Sequence, residues 1–385
     1  MNTILFIGIF QALFLFLLVI NKKRKSQSDW ILLFMLIYMA LNQAFFLANF
    51  NEEVKIPLPL MILGGGFPLL YGPILYWYVL SLIREKPVQA RTFVIHSIIY
   101  LLFVVLFSIY HYLIEGYEVS VYDGYLHIHG NYPLLIRLYS VYFAISGGVY
   151  PLICLILLQL HKQKIHRQFS YEEEINLDWL KLLIVGTFAS FLAGFFTILF
   201  IVDWQWNENP RYAFYIISII NTVFIFFMGY FDLKQTTIFD ASEVRTRILD
   251  TRSKVNEEIE SRYSKSGLDT DKSKELFEKL NNAMKQDKFY LDGKLTLASL
   301  ASKMNVSTNH VSQAINENSD MNFFDYVNSY RVKEVKELIM NINFSHYTLL
   351  GIGIECGFNS KSSFNQIFKE HTGMTPSQYK RSLTS

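Results

Sequence analysis

Long apolar stretches dominate the first 230 residues, and each is about as long as a helix that crosses a bilayer. A hydrocarbon core of roughly 30 Å takes about 20 helical residues. Seven stretches qualify: Thr3–Ile20, Trp30–Phe50, Leu58–Ile83, Phe93–Ile114, Leu134–Leu160, Leu177–Trp204 and Tyr212–Phe231. After Tyr230 the pattern changes. Apolar residues there recur at three- and four-residue spacing among charged and amide side chains, the period of amphipathic helices. The pattern predicts an all-α chain whose membrane part occupies residues 1–231 and whose polar part follows.

The spans carry some local detail. No Lys or Arg precedes the first, and no A-x-A-like site follows it, so it is expected to be a retained helix rather than a signal peptide. Gly64-Gly65-Gly66 with Pro68, and Gly147-Gly148 with Pro151, are expected to kink or break their helices. Gly186, Ser190 and Gly194 recur every fourth residue and let a neighbour approach closely. Between two spans, "EVSVYDGYLHIH" alternates about Asp123-Gly124 and predicts a hairpin. Its His127 and His129 lack a third ligand, so a solvated lid is preferred to a metal site.

Charge sets the orientation. The loops after spans one, three and five hold ten Lys and Arg, including Lys162, Lys164 and Arg167, and the alternate loops hold Lys55 and Arg211 alone. Basic loops stay in the cytoplasm. The expectation is a multi-pass protein of a bacterial cytoplasmic (inner) membrane, N-terminus outside and C-terminal half inside. Composition agrees: 51% of residues are hydrophobic and 18% charged, against about 25% charged in soluble domains. Cys154 and Cys356 fall in different halves, which argues against a disulfide framework or a CxxC metal site.

Residues 232–288 read as a charged helical connector. Ala241, Val244, Ile248, Thr251 and Val255 form a short seam suited to dimerisation, a second helix carries Leu276, Leu280 and Met284 on one face, and the alternative reading of the connector is a solvated spacer.

Residues 289–385 hold two similar helix-turn-helix patterns. In the first, Leu297, Leu300, Ala301 and Met304 face inward, Val306 plugs the turn and Ser307 caps a second helix anchored by Val311 and Ile315. Thr308, Asn309, His310, Gln313 and Asn316 are left outward. In the second, Leu350, Gly353 and Ile354 precede Gly357-Phe358-Asn359, Ser360 is the cap, and Phe364, Ile367 and Phe368 are the anchors. Lys361, Ser362, Asn365, Gln366 and Lys369 face outward there. A long helix, Phe323 to Met340, is expected to space the two. Asn and Gln pair with adenine edges, and Lys meets guanine or phosphate, so these ten residues are the candidate contacts to double-stranded DNA.

The stretches "LASLASKMNVS", "NFFDYVNSYRVKEVKELI" and "IGIECGFNSKSSFNQIFKEHTGMTPSQYKR" resemble the DNA-binding domain of the AraC/XylS family of bacterial transcription regulators. The closing Gly373, Thr375, Pro376, Tyr379 and Lys380 carry the resemblance most specifically. It covers about a quarter of the chain. Gly353 and Val335 stand where the family favours Ala, and Lys380 where Arg is common. The resemblance implies transcription control, here in a protein fused to a seven-span membrane region.

No HExxH, GxSxG, Walker or kinase signature appears, so no enzyme, cofactor or metal is expected. The expected partners are DNA, the lipid bilayer, a second copy of the chain, and a small-molecule or membrane signal. The alternative reading is a transporter or channel with a regulatory DNA-binding domain; mid-membrane acids and internal repeats of the spans would favour it, and neither is evident.

Overall fold

The computed structural model describes residues 2–23, 25–50, 57–84, 87–113, 118–122, 125–129, 134–172, 175, 177–202, 218–227 and 268–383. The chain divides into two compact units. One comprises Met1–Gln159 and Leu177–Gln235, the other Leu160–Asn176 and Thr236–Ser385.

The first unit is a bundle of α1 (Asn2–Ile20), α2 (Gln27–Phe50), α3 (Leu58–Gly66), α4 (Tyr71–Ile83), α5 (Ala90–Leu113), most of α6 (Leu134–Gln168), α7 (Trp179–Val202) and α8 (Ser218–Phe227). Among the described residues six segments are long and apolar enough to cross a membrane. The expected seventh, Tyr212–Phe231, is described only over Ser218–Phe227, and the rest lies outside the described residues. The outer surface is greasy: α5 exposes Ile95, Ile98, Leu102, Val105 and Ile109, and α1 exposes Phe6, Phe10 and Leu17. Apolar exposure this continuous suits lipid, not water. A core of Leu36, Met39, Ile74, Val79, Leu180 and Ile184 lies inside.

The third span breaks where expected. α3 ends at Gly66, a 3-10 turn covers Phe67–Leu70, and α4 resumes at Tyr71. Tyrosine hydroxyls satisfy the disturbed carbonyls: Tyr38 donates to Phe67 O at 2.6 Å and Tyr139 to Gly65 O at 3.2 Å. The Gly147-Gly148 and Pro151 site does not break its helix; α6 runs on for 35 residues. Gly147 serves packing instead, since a Cβ there would lie 2.7 Å from the Phe191 ring. The Gly186/Gly194 stripe likewise admits rings, from Phe224 and Phe143. The hairpin forms as β1 (Glu118–Tyr122) paired antiparallel with β2 (Tyr125–His129), with Ser120 opposite His127.

The second unit contains α9 (Thr270–Gln286), α10 (Leu297–Lys303), α11 (Thr308–Ser319), α12 (Phe323–Met340), α13 (Leu349–Glu355), α14 (Lys361–Thr372) and α15 (Pro376–Ser382). α12 keeps the expected bounds. Two of its stripes serve two cores. Phe323, Tyr326 and Val327 join Leu300, Val311 and Ile315, while Phe324, Val332 and Val335 join Ile352, Phe364 and Phe368.

Two boundaries differ from expectation. Leu276, Leu280 and Met284 of α9 are buried in the first of these cores, so α9 is a wall of the first helix-turn-helix and not part of a solvated connector. The seam from Ala241 to Val255 lies outside the described residues. Residues Leu160–Asn176, expected as a loop of the membrane part, belong to the second unit.

Candidate nucleic-acid interface

The two turns are built alike, down to the backbone. In the first, Val306 N donates to Ala301 O at 3.0 Å and Asn305 N to Ser302 O at 3.2 Å; in the second, Phe358 N donates to Gly353 O at 3.0 Å and Gly357 N to Ile354 O at 2.9 Å. Each pair closes a Schellman-type helix end, which turns the chain sharply through one left-handed residue. That residue is Asn305 (φ 52°) in one and Gly357 (φ 89°) in the other. Ser307 and Ser360 then cap α11 and α14, accepting from His310 N at 3.2 Å and Ser363 N at 3.1 Å. Thr296 and Thr348 cap α10 and α13 ahead of them.

On α11, Asn309 and Asn316 are exposed, and Thr308, His310 and Gln313 are half-buried. Gln313 is engaged in the fold. Its side-chain oxygen accepts from Leu268 N and its amide donates to Leu268 O, both at 3.0 Å, which ties the approach to α9 onto the reading helix. On α14, Lys361, Ser362, Gln366 and Lys369 are exposed and Asn365 is half-buried. Gln366 also donates to Glu370 at 3.0 Å.

The seam between the repeats was not foreseen from sequence. Arg331, on α12, is 1% exposed. A buried guanidinium needs its donors matched. Nε donates to Tyr290 O at 2.8 Å; Nη2 donates to Asp292 O at 2.8 Å and Ser170 Oγ at 3.0 Å; Nη1 donates to Ser170 O at 2.7 Å and Asn328 Oδ1 at 3.1 Å. Asn359, in the second turn, donates to Gly293 O at 2.7 Å. The 288–295 loop of the first repeat is thereby fastened to the second. The signal was present in "YVNSYRV", where Asn328 and Arg331 interrupt an otherwise apolar stripe.

Nearby, Lys288 and Tyr290 hydrogen-bond the Glu334 carboxylate at 2.7 and 2.6 Å. Burial alone would raise that carboxyl, but those two donors outweigh it and hold it below the usual glutamate range. Burial pushes the Cys356 thiol up to about 12, so it stays neutral in the core of the second repeat.

The membrane unit holds a second cluster that hydropathy hides. Gln43 donates to Ser218 O at 3.2 Å and Thr222 Oγ1 at 3.1 Å, and Tyr71 donates to Asn42 Oδ1 at 3.2 Å. Amides buried in an apolar bundle fix helix register by such bonds.

Residues 300–382 match the family model of a helix-turn-helix domain. Over 103 residues the chain is 26% identical to the uncharacterized HTH-type transcriptional regulators SACOL0084 and SAS0078 of Staphylococcus aureus strains COL and MSSA476, a stretch covering 27% of this chain and 13% of each relative. It is 27% identical over 85 residues to the uncharacterized HTH-type transcriptional regulator YpdC of Escherichia coli K12, covering 22% of this chain and 29% of that one. The chain therefore matches much less than half the length of these curated relatives. No solved structure matches it.

Proposed function

We propose that the protein, whose residues 300–382 match a helix-turn-helix domain and resemble the AraC/XylS family, is a membrane-bound, sequence-specific transcription regulator that couples a signal sensed by its transmembrane region to gene expression. One observation carries the reading: two similar helix-turn-helix repeats share α12, on a chain whose described residues also include six helices long and apolar enough to span a bilayer. α12 has 18 residues, or about 27 Å at 1.5 Å per residue, a length suited to holding two reading helices against successive major-groove faces of one duplex. Asn309, His310 and Asn316, with Ser362, Asn365 and Gln366, are the proposed readers of base edges. Thr308, Lys361 and Lys369 are assigned to phosphate, and Gln313 to either role once released from Leu268. The second repeat supplies the cations.

The Lys and Arg bias supports a cytoplasmic location for this domain, and the balanced charge of the first repeat, five basic and five acidic side chains over residues 294–343, favours a pair of chains on DNA. The test is selection from random duplexes by the full chain in lipid nanodiscs. Enrichment of a common site with two half-elements is expected; recovery of unenriched sequence sinks the reading. A reporter fused at the C-terminus tests the orientation independently.

A further inference from the structure

Ser170 is completely buried, although it lies in the segment that follows α6, between two basic and acidic runs. Its partners account for that. Its N–H donates to Leu295 O at 3.2 Å, and its hydroxyl donates to the same oxygen at 2.7 Å. The hydroxyl also accepts from Arg331 Nη2, and the Ser170 carbonyl accepts from Arg331 Nη1 and, at 3.3 Å, from Asn328 Nδ2. Phe169 forms an antiparallel bridge with Thr296, the cap of α10. The His166 ring stacks on Phe324, their centroids 4.3 Å apart and planes within 7°. Glu172 hydrogen-bonds the His166 ring and ion-pairs with Lys162, folding the segment back on itself.

These contacts have a particular address. Leu295 and Thr296 open the first repeat. Phe324 belongs to the core of the second. Arg331 joins the 288–295 loop to α12. The segment therefore fills the joint on which the relation of the two reading helices depends. It also continues directly from a span. α6 has 35 residues, about 52 Å, against roughly 30 Å of hydrocarbon, so its last turns with Lys162, Lys164 and Arg167 project beyond the bilayer.

We infer that the 160–172 segment is the input of the DNA-binding domain: it docks in the seam between the two repeats, with Ser170 on Arg331, and its displacement changes how the two reading helices are held. The inference rests on the regulator reading and adds the route. The signal enters through the α6–α7 loop and reaches the domain from its side, in addition to the covalent link through residues 232–267. Both repeats touch the docked segment, so a shift of either adjoining span acts on their relation and not on one repeat alone.

The experiment uses the full chain in nanodiscs. Phe169→Cys with Thr296→Cys places two thiols at a bridged pair, whose Cα separation of about 4.5–5.5 Å falls in the range disulfides bridge. The native thiols are both buried and do not compete. Ser170→Arg sets a like charge against Arg331 and should release the segment, while Ser170→Ala weakens docking with little risk to folding. Rapid cross-linking is expected. DNA affinity of the oxidised double-cysteine protein and of the Ser170→Arg protein should then move in opposite directions from the reduced parent, about fivefold or more apart, with Ser170→Ala displaced towards Ser170→Arg. Failure to cross-link overturns the docking. Efficient cross-linking with equal affinity in all forms overturns the control role and leaves the regulator reading standing. Loss of sequence preference in every form, the parent included, defeats that reading and the inference with it.

Discussion

The two helix-turn-helix repeats share a plan and differ in what surrounds it. Wherever the plan needs a left-handed residue, the first repeat uses Asn305 and Asp320, and the second uses Gly357 and Gly373. Asn305 itself is exposed. Gly357 is packed so tightly that a Cβ would lie 2.5 Å from Tyr290 O and 3.0 Å from Arg331 Nε. The first repeat gains a wall from α9 and commits Gln313 to it. The second is closed by α15 instead, with Tyr379 packed on its core, and carries Lys361 and Lys369 on α14, where α11 has no lysine. Similar backbones thus hold a braced, amide-rich α11 beside a cationic α14 whose repeat forms the tighter joint.

Substitutions at the matching turns should separate the repeats most. Gly357→Val combines a left-handed backbone with overpacking and is expected to cost about 3–5 kcal/mol, whereas Asn305→Gly stays within about 1 kcal/mol. Chemical denaturation of the two variants checks this; equal losses would mean the turns are not differently packed. Next is Leu280→Ala, which opens a cavity under α9 and is expected to cost about 2–4 kcal/mol. Hydrogen exchange should then quicken in α9 and α11 before α14. An unchanged pattern would return α9 to the role of spacer.

A smaller effect separates the readers by charge. Replacing Lys361 and Lys369 together with Ala is expected to lower the slope of log affinity against log salt by about 2. Asn309→Ala with Asn316→Ala should leave that slope alone and relax the preferred sequence. Equal slopes for the two pairs would erase the proposed division. The smallest effect is acid sensitivity at Glu334. Its folded carboxyl is held low, so its contribution is present above the ordinary glutamate value near 4.3 and is lost as pH falls through the folded value. Melting temperature measured from pH 6 to pH 3.5 should therefore fall slightly less for Glu334→Gln than for the parent, since the Lys288 partner is half exposed and solvent screens the pair.

Much of this was legible because local chemistry determined it. Span lengths, the break at Gly64–Pro68, the Ser307 and Ser360 caps and the bounds of α12 follow from periodicity and capping alone. Other features depend on partners distant in sequence. α9 reads as a solvated amphipathic helix until Val311 and Tyr326 are seen beside it. Pro151 predicts a break that α6 does not make. Ser170 is one serine among charges, and only Arg331, 161 residues later, gives it meaning. Of the residues expected to face outward on α11 and α14, Asn309, Asn316, Lys361, Ser362, Gln366 and Lys369 are exposed, and Thr308, His310, Gln313 and Asn365 are half-buried. The engagement of Gln313 was not legible, since Leu268 offers only backbone.

Sharing α12 has a thermodynamic corollary. Each repeat borrows a stripe of that one helix as part of its own core, so unfolding either strips the other of a wall. The pair should melt as one cooperative block, with a single calorimetric transition. A half-sized regulator carved from this domain would have no stable form.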